Sequence, residues 1–354
     1  MTSSLPEPAL MLDVEDLTPA RLGEVLGGTV RSVRTEQIGT GQIGRCLRLE
    51  LTGDDIPASI VAKLPAADAG ARAMLAGAYR GEVLFYTDIA DTVAVQVPVC
   101  YYAALGDDGD FTLLLEDLAP AQQGDQVTGC TPAQAHDAVR NLAGLHGPRW
   151  CDPALLDLSW VGRTDREGAR LLGELYGPAA EMFVDGLGDL VVDDDRATLR
   201  ECVEVTERWI CARPDRFALV HGDYRLDNLL FPPDPDTGVT AVDWQTLTIG
   251  LPARDLAYFA GTSLTPAERR EHEYDLVATY HRALLGHGVE RYSLTECWDD
   301  YRFAMLQGPL VAVFGCAYGA RTERGDRMFA TMVARACAAI RDLDSLTLAA
   351  RNAG

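Results

Sequence analysis

The sequence predicts an α+β protein of two lobes: a smaller, mostly β N-terminal lobe over residues 1–118 and a larger, mostly helical C-terminal lobe over residues 119–354. In the first part, runs of alternating or β-forming apolar residues predict strands at 45–51, 59–64 and 111–115. In the second part, helical periodicity marks the segments 131–147, 194–212, 265–286 and 294–318. A chain of 354 residues is long enough to form both lobes.

Near the N-terminus, Gly39, Gly41 and Gly44 form a G-x-G-x-x-G pattern. A dinucleotide-binding turn has the same letters, but that turn must open a helix. Residues 45–51 alternate with period two and predict a strand instead. We therefore expect a strand, a glycine turn and a second strand, with backbone N–H groups free to cover phosphates.

Lys63 is the only lysine among 31 basic residues, and it lies in the apolar run 59–64. A compact ammonium can bridge phosphates and a carboxylate where a planar guanidinium would not fit. The alanine-rich segment 69–90 predicts a helix, although its glycines weaken the prediction. Glu82 on this helix is the expected partner of Lys63. The alternatives are a lysine without a role on its strand and a solvated helix glutamate.

Residues 221–228 read His-Gly-Asp-Tyr-Arg-Leu-Asp-Asn, and Val-Asp-Trp follows at 242–244. Between them, a proline- and glycine-rich turn flanked by apolar β-formers predicts a hairpin that returns Asp243 towards Asn228. Asp223, Asn228 and Asp243 carry side-chain oxygens, the ligand type that Mg²⁺ prefers. The alternative is an ordinary hairpin with acidic surface residues.

This spacing resembles that of kinases, in which H-R-D-x-x-x-x-N precedes D-F-G. With His-Gly-Asp and Asp-Trp-Gln in those places, the chain resembles the ecdysteroid-kinase-like and choline-kinase-like group of the aminoglycoside phosphotransferase superfamily. The resemblance extends to Leu-Leu-Leu-Glu-Asp-Leu at 113–118, Leu-Ala-Gly-Leu-His-Gly at 142–147 and Gly-Leu-Pro-Ala-Arg-Asp-Leu-Ala-Tyr-Phe at 250–259.

The resemblance implies a two-lobed, protein-kinase-like fold and ATP-dependent phosphorylation of a hydroxyl on a small molecule, which would be sterol-like, an amino alcohol, a sugar or an antibiotic. It implies ATP and Mg²⁺ as cofactors. Asp223 would be the general base, and Asn228 and Asp243 would hold Mg²⁺. The nucleotide would meet the groups of the smaller lobe, namely Gly39, Gly41, Gly44, Lys63, Glu82 and the hinge residues Glu116 and Leu118.

Candidates for contact with the acceptor or phosphate are Tyr224, Arg225 and Trp244, which flank the catalytic groups, and Trp298 and Tyr301, which lie in an aromatic stretch. Helix-core packing is the alternative for the aromatic stretch. Three further residues of the resembling motifs are expected to be structural: His146 packed in a helix, His221 bracing the catalytic loop, and Asp255 anchoring that loop or capping the next helix.

The net charge of −22 argues against nucleic acid or an anionic membrane as a partner. An acidic surface could steer a cationic acceptor, although solubility alone also explains it. The N-terminus has no signal-like segment, and the longest apolar stretch, 308–320, is shorter than the ~20 residues that span a bilayer. Nine scattered cysteines without C-x-x-C spacing indicate reduced thiols. We expect a cytoplasmic monomer or homodimer.

Three other functions are compatible with parts of the pattern. An aminoglycoside or macrolide kinase would differ only in its acceptor. A protein kinase is disfavoured because no Ala-Pro-Glu follows Asp243. A non-catalytic nucleotide-binding regulator is disfavoured because every expected catalytic group is present.

Overall fold

The computed structural model describes residues 9–39 and 44–351. The chain divides into two compact units. The smaller unit comprises the described residues up to Asp91, together with Val97–Ala119 and Asp243–Thr246. The larger unit comprises Thr92–Gln96, Pro120–Val242 and the described residues from Leu247 onwards. This division differs from a single boundary after residue 118 because two short segments, 92–96 and 243–246, belong to the unit opposite the one that their sequence position suggests.

The smaller unit is built on one antiparallel five-stranded sheet in the order β1-β2-β3-β5-β4. Its elements in chain order are α1 Pro19–Leu26, β1 Thr29–Gln37, β2 Arg45–Asp54, β3 Ser59–Leu64, α2 Ala69–Leu84, β4 Cys100–Leu105 and β5 Phe111–Glu116. Apolar side chains from β2, β3 and β5 form a core, including Leu49, Ile60 and Leu114, all fully buried. The three strands predicted from the sequence are therefore neighbours in this sheet.

Strands β1 and β2 form the hairpin expected around the glycines. Gly39 has φ +71° and Gly44 has φ +139°, both in the left-handed region that favours glycine. A Cβ at Gly44 would also lie 3.0 Å from the carbonyl oxygen of Leu64, so the backbone approaches β3 closely here. Gly41 lies outside the described residues.

Helix α2 begins after Asp68, whose carboxylate accepts the N–H of Ala71 at 2.8 Å and so caps the first turn. It ends at Leu84, and the chain continues as a wide helical turn over Phe85–Ile89. The helix buries Tyr79, Glu82 and Val83. Its extent agrees with the helix predicted over 69–90.

The larger unit is mostly helical. Its helices are α3 Pro132–His146, α4 Arg166–Leu187, α5 Asp193–Cys211, α6 Ala253–Ser263, α7 Pro266–Gly286, α8 Leu294–Phe303, α9 Gln307–Tyr318, α10 Glu323–Asp342 and α11 Ser345–Arg351. Four of the predicted segments correspond to α3, α5, α7 and the pair α8 and α9. The segment 294–318 is helical throughout, and a 3-10 turn at Ala304–Leu306 divides it into α8 and α9. Pro309 follows this turn and has no N–H to continue an unbroken helix.

Two small sheets complete the larger unit, in the orders β10-β9-β6 and β7-β11-β8. Their strands are β6 Gln122–Gln123, β7 Gly162–Arg163, β8 Ala218–Val220, β9 Leu229–Phe231, β10 Thr240–Ala241 and β11 Thr248–Gly250. Strands β9 and β10 are antiparallel and form the hairpin predicted between the two motif segments. None of the helices in the described part of the chain combines the length and the apolar character that crossing a membrane requires.

Candidate functional site

Lys63 is the centre of a charged group in the smaller unit, called here the lysine cluster, with Glu82, Asp243 and Gln245. Its ammonium forms an ion pair with Glu82, whose side chain is fully buried, and lies 3.5 Å from Asp243 Oδ1. Gln245 Nε2 donates to the second Glu82 oxygen at 3.1 Å. Burial alone would lower the pKa of Lys63, but the Glu82 and Asp243 carboxylates outweigh burial and raise that pKa well above its usual value. Lys63 therefore stays charged.

Asp243 has two unusual properties. Its φ is +70°, a left-handed conformation that aspartate tolerates better than most residues. Its Oδ1 is buried and accepts no hydrogen bond from the described residues, so the Lys63 ammonium at 3.5 Å is the cation that balances it. A carboxylate oxygen without a hydrogen-bond donor suits a hard cation, and the neighbouring ammonium suits phosphate groups.

Asp223 is the centre of a second group, in the larger unit, called here the aspartate cluster, with Arg225, Asn228 and Tyr258. The Tyr258 hydroxyl donates to Asp223 Oδ1 at 2.8 Å, and Asn228 Nδ2 donates to Oδ2 at 2.9 Å. Arg225 Nε is shared between the two oxygens, at 3.0 Å from Oδ1 and 3.1 Å from Oδ2. Burial, followed by the Asp223 carboxylate, raises the pKa of Tyr258 well above its usual value, so this hydroxyl remains a donor.

Asn228 is fixed by further bonds of its amide and backbone. Its Nδ2 also donates to the backbone oxygen of Asp223 at 2.9 Å, so both of these bonds of the amide nitrogen go to Asp223. Its backbone oxygen accepts the N–H of Val242, the residue before Asp243, at 3.0 Å. This bond extends the pairing of β9 and β10 by one residue and fixes the position of Val242.

Asp255, in the first turn of α6, holds the backbone that precedes Asp223. Its two carboxylate oxygens accept the N–H groups of His221 at 2.6 Å and Gly222 at 3.0 Å. His146 Nε2 lies 3.3 Å from Asp255 Oδ2 and its Nδ1 lies 2.7 Å from the Tyr280 hydroxyl. Of the two roles expected for Asp255, the structure supports loop anchoring, and His146 is a buried structural residue as expected.

His221 contacts both ends of the segment 221–242. Its Nε2 lies 3.1 Å from the backbone oxygen of Val242, and its Nδ1 lies 3.3 Å from the N–H of Asp223. The ring therefore contacts both the loop that carries Asp223 and the strand end at residue 242. This agrees with the bracing role predicted from the sequence.

Arg225 also belongs to a chain of ion pairs. Its Nη1 donates to Asp227 Oδ2 at 2.8 Å, and Asp227 in turn accepts from Arg324 on α10 at 3.2 and 3.3 Å. Burial would lower the pKa of Arg225, but the Asp223 carboxylate and its other anionic neighbours outweigh burial and raise it. Burial would raise the pKa of Asp227, but the two guanidinium groups hold it below its usual value. Arg225 and Asp227 therefore both stay charged.

Most of the predicted acceptor contacts are core residues. Tyr224 is fully buried and its hydroxyl donates to the Ala138 oxygen at 2.8 Å. Trp244 is fully buried and stacks on Phe85, with ring centroids 3.7 Å apart. A side chain without exposed surface cannot touch a ligand in this conformation, which argues against the substrate prediction for both residues. Arg225 remains beside Asp223.

The two aromatic candidates on α8 also pack within the larger unit. Tyr301 is fully buried and its hydroxyl donates to Glu273 at 3.0 Å. Trp298 stacks on Tyr301, with centroids 5.4 Å apart, and meets Tyr274 edge-on at 5.3 Å. The structure gives both residues the helix-packing role that was the alternative in the sequence analysis.

The predicted hinge residues Glu116 and Leu118 lie at the end of β5, on either side of Asp117. Arg48 binds Asp117 through two parallel bonds, Nε to Oδ2 at 2.8 Å and Nη2 to Oδ1 at 3.1 Å. Glu116 is held by its own N–H, which donates to the Val99 oxygen at 2.8 Å. The backbone of this segment is thus fixed from both sides within the smaller unit.

Two residues of these clusters, Tyr258 and Gln245, were not predicted from the sequence. Tyr258 was read only as part of the 250–259 motif, although it lies on the same helix as Asp255, three residues further on. Residues three apart share a helix face, so an anchor at 255 could have directed attention to 258. Gln245 stands in the Asp-Trp-Gln of the second motif segment, and nothing in the sequence indicated that it bonds to Glu82.

Solved structures with similar folds include kinases and phosphotransferases. A proposed aminoglycoside phosphotransferase from Ralstonia eutropha JMP134 has a TM-score of 0.58 at 17% identity, covering 96% of this chain and 99% of that one. Choline kinase from Cryptosporidium parvum Iowa II has a TM-score of 0.55 at 10% identity, covering 89% and 91%. The GDP complex of aminoglycoside 2'-phosphotransferase-IIIa has 0.54 at 16% identity, covering 87% and 94%. The fold is therefore two-lobed, α+β and protein-kinase-like.

The chain belongs to the phosphotransferase enzyme family, whose model matches residues 35–292. It is therefore an enzyme, a kinase-type phosphotransferase. Similar curated proteins include acyl-CoA dehydrogenase family member 10 of Mus musculus, 48% identical over 46 residues, which are 13% of this chain and 4% of that protein. The human family member 11 is 48% identical over 42 residues, which are 12% of this chain and 5% of that protein. The chain thus aligns with only a small part of these relatives.

Proposed function

We propose that this phosphotransferase uses Mg-ATP to phosphorylate a hydroxyl group of a small molecule, with Asp223 as the general base. The observation that carries the proposal is the lysine cluster. The only lysine of the sequence is ion-paired with a buried glutamate and lies 3.5 Å from Asp243, in a chain of the phosphotransferase family. Charge neutralisation and positioning are what phosphoryl transfer requires from a protein.

In this proposal Lys63 binds the nucleotide phosphates, and Glu82 with Gln245 orients its ammonium. The glycine hairpin, with Gly39, Gly41 and Gly44, covers the phosphates through backbone N–H groups. The adenine meets the backbone of Glu116 and Leu118. The related fold in the GDP complex of aminoglycoside 2'-phosphotransferase-IIIa supports a nucleotide as the donor.

Asn228 and Asp243 are the proposed Mg²⁺ ligands. The hydrogen bonds of the Asn228 amide to Asp223 use its nitrogen, and its oxygen would bind the ion. The buried Oδ1 of Asp243 accepts no hydrogen bond from the described residues. Both are oxygen donors, which Mg²⁺ requires, and Mg²⁺ typically leaves several positions to phosphates and water. When bound, Mg²⁺ would neutralise charge on the transferred phosphoryl group.

The acceptor hydroxyl gives its proton to Asp223 as its oxygen bonds to the γ-phosphorus, and ADP departs with the electrons of the broken P–O bond. Tyr258 and Asn228 hold the carboxylate in a fixed orientation for this transfer. The backbone anchors at Asp255 keep the loop from moving away from that orientation.

The test is a transfer assay with Mg-ATP against a pooled library of hydroxyl compounds, read by mass spectrometry for added phosphate. The pool contains sterols, terpenols, amino alcohols, sugars, aminoglycosides and macrolides. It also contains hydroxyacyl thioesters, because the short curated matches carry acyl-CoA dehydrogenase names. A product that Asp223→Asn fails to form confirms the reaction and identifies the acceptor. An aminoglycoside or macrolide product would define an antibiotic kinase.

Direct ATP binding, measured by calorimetry, separates the remaining outcomes. Binding without any product in the pool would favour the non-catalytic regulator. Absence of binding would overturn the assignment of ATP as the donor.

A further inference from the structure

Both carboxylate oxygens of Asp223 accept hydrogen bonds. An ionised carboxylate has about four lone-pair positions on its two oxygens. Each Asp223 oxygen accepts one bond of its own, from Tyr258 or Asn228, and both share the N–H of Arg225 Nε at 3.0 and 3.1 Å. Because these two distances are nearly equal, Nε lies close to the plane that bisects the carboxylate. The direction from which a hydroxyl would most directly approach both oxygens is therefore covered.

We propose that Arg225 is a removable cap on the catalytic base, which keeps Asp223 from activating water until an acceptor displaces the Nε–H from the carboxylate. This inference rests on the proposed role of Asp223 as base. It assigns to Arg225 a positioning and gating function in the transfer reaction rather than a packing function.

Arg225 is the donor that can leave. Tyr258 is fully buried on α6, and Asn228 is 6% exposed and bonds in addition to the Asp223 backbone. The Arg225 side chain is 19% exposed and extends from the residue that precedes a short 3-10 turn, not from within a helix. Loss of either of the other two bonds would require movement of a packed element, whereas Arg225 can change side-chain torsions alone.

The guanidinium of Arg225 also keeps partners when Nε departs. Its Nη1 donates to Asp227 at 2.8 Å and contacts the Met328 sulfur at 3.1 Å. Asp227 is itself fixed by the Gln126 N–H at 3.0 Å and by Arg324. Departure of Nε therefore removes one shared bond and leaves the cation paired with Asp227.

The cap has a chemical purpose because water is a competing acceptor. In hydrolysis, a water oxygen would bond to the γ-phosphorus, its proton would pass to Asp223, and ADP would leave with the electron pair of the broken P–O bond, giving inorganic phosphate. Water is smaller and more abundant than any acceptor. A base that is open in the absence of acceptor would therefore waste ATP.

The experiment measures ADP formation from Mg-ATP without acceptor, using the 354-residue protein and Arg225→Met, whose unbranched side chain reaches the position of Nε but has no N–H. General-base action contributes ~10²–10⁴-fold, and uncapping should recover part of it, so we expect at least about a tenfold rise in hydrolysis. The double variant Asp223→Asn with Arg225→Met should return to the level of the protein without substitutions. An unchanged or lower rate in Arg225→Met would overturn the cap.

Arg324→Gln is the matched control, since it removes a guanidinium from the same ion-pair chain without touching Asp223. We expect its hydrolysis rate within about twofold of the unsubstituted protein. An equal rise in this variant would attribute the effect to lost positive charge and overturn the cap. If Arg225→Met does not fold, Arg225→Leu, which also has no N–H, takes its place; a rate at the unsubstituted level in that variant would also count against the cap.

A second readout does not depend on activity. In the free protein the Arg225 Nε–H should exchange slowly with solvent in NMR spectra, and Asp223→Ala should accelerate this exchange by about tenfold or more, as expected when a bond to a charged group is lost. Equal exchange in both proteins would refute the bond. If the protein binds ATP and transfers phosphate, but ADP formation without acceptor does not rise in Arg225→Met, the cap is refuted and the proposed function stands. If the protein does not bind ATP, the proposed function itself is refuted.

Discussion

The carboxylate of Asp255 accepts the backbone N–H of His221 at 2.6 Å, across 34 residues of sequence. With the second bond to Gly222 at 3.0 Å, it fixes the two peptide groups that precede Asp223. A buried carboxylate that satisfies two backbone donors makes the position of the loop that carries Asp223 depend on helix α6. The stability of this part of the protein and the placement of the proposed base are thus coupled.

Asp255→Ala should destabilise the protein and lower turnover together. The change leaves the buried N–H of His221 and the partly buried N–H of Gly222 without an acceptor, at a cost of up to about 1–3 kcal/mol each in the free energy of unfolding. Denaturant unfolding followed by circular dichroism measures this cost. Asp185 is exposed on α4, and Asp185→Ala should change the unfolding free energy by no more than about 0.5 kcal/mol. Equal stability of the two variants would contradict the anchor.

Tyr258→Phe should reduce kcat with little change in the KM for ATP. It removes the 2.8 Å bond to Asp223 Oδ1 and keeps the ring. A hydrogen bond to a charged group contributes roughly 1.5–3 kcal/mol. Loss of about half or more of this free energy from the transition state would lower kcat by about tenfold. Steady-state kinetics with the identified acceptor makes the measurement.

Tyr176→Phe is the control for Tyr258→Phe. Tyr176 is another buried tyrosine of the larger unit, and its hydroxyl has no hydrogen-bond partner among the described residues. We expect its kcat to stay within about twofold of the unsubstituted protein. A similar fall in both variants would indicate a general packing effect and not orientation of Asp223.

Lys63→Arg should fail to support transfer although the positive charge is kept. The ammonium fits between Glu82 and Asp243, and a longer planar group would misplace the phosphates. Misplacement of reacting groups by about 1 Å can cost about 10²-fold, which is the fall in kcat/KM that we expect. Unaffected kinetics would exclude the role assigned to this residue.

Because Lys63 is the only lysine, nucleotide binding can be tested without knowing the acceptor. An ATP analogue with an amine-reactive acyl phosphate should label Lys63, and an excess of ATP should suppress the label. Peptide mass spectrometry locates the modification. Labelling at the N-terminal amine alone, or labelling that ATP does not suppress, would argue against a phosphate site at Lys63.

Asp117→Asn should make the protein less stable at neutral pH and flatten its acid-unfolding profile. Burial would raise the pKa of Asp117, but its hydrogen bonds to Arg48 and to backbone N–H hold that pKa below its usual value. A lowered folded pKa contributes stability that is present above the unfolded pKa of about 3.9 and is lost as the pH falls through the folded pKa. The Asn variant has no carboxylate at this position and therefore lacks this pH-dependent stabilisation.

Unfolding free energies between pH 7 and the acid limit of folding test the Asp117 prediction. Asp185→Asn, which removes an exposed carboxylate, is the control and should keep the slope of the unsubstituted protein. An unaltered slope in Asp117→Asn would show that the Arg48 pair contributes nothing to stability.

Much of the fold was predictable because its signals are local. The alternation at 45–51, the apolar run around Lys63 and the turn between Leu229 and Val242 each encode a strand or hairpin within a few residues, and β2, β3, β9 and β10 confirm them. The segment 294–318 is helical as its periodicity predicts, but periodicity does not locate the 3-10 turn at Ala304–Leu306 that divides it into two helices.

By itself, the sequence determined the residue types and spacing of the two motif segments, the single lysine and the glycine turn, because each is a property of neighbouring residues. Only the tertiary structure decided which side chains bond to Asp223, since Tyr258 is 35 residues away and its approach depends on helix packing. It also decided that Tyr224, Trp244 and Tyr301 are buried. An aromatic residue has the same letter in a core and in a binding site, and only the surrounding atoms distinguish the two.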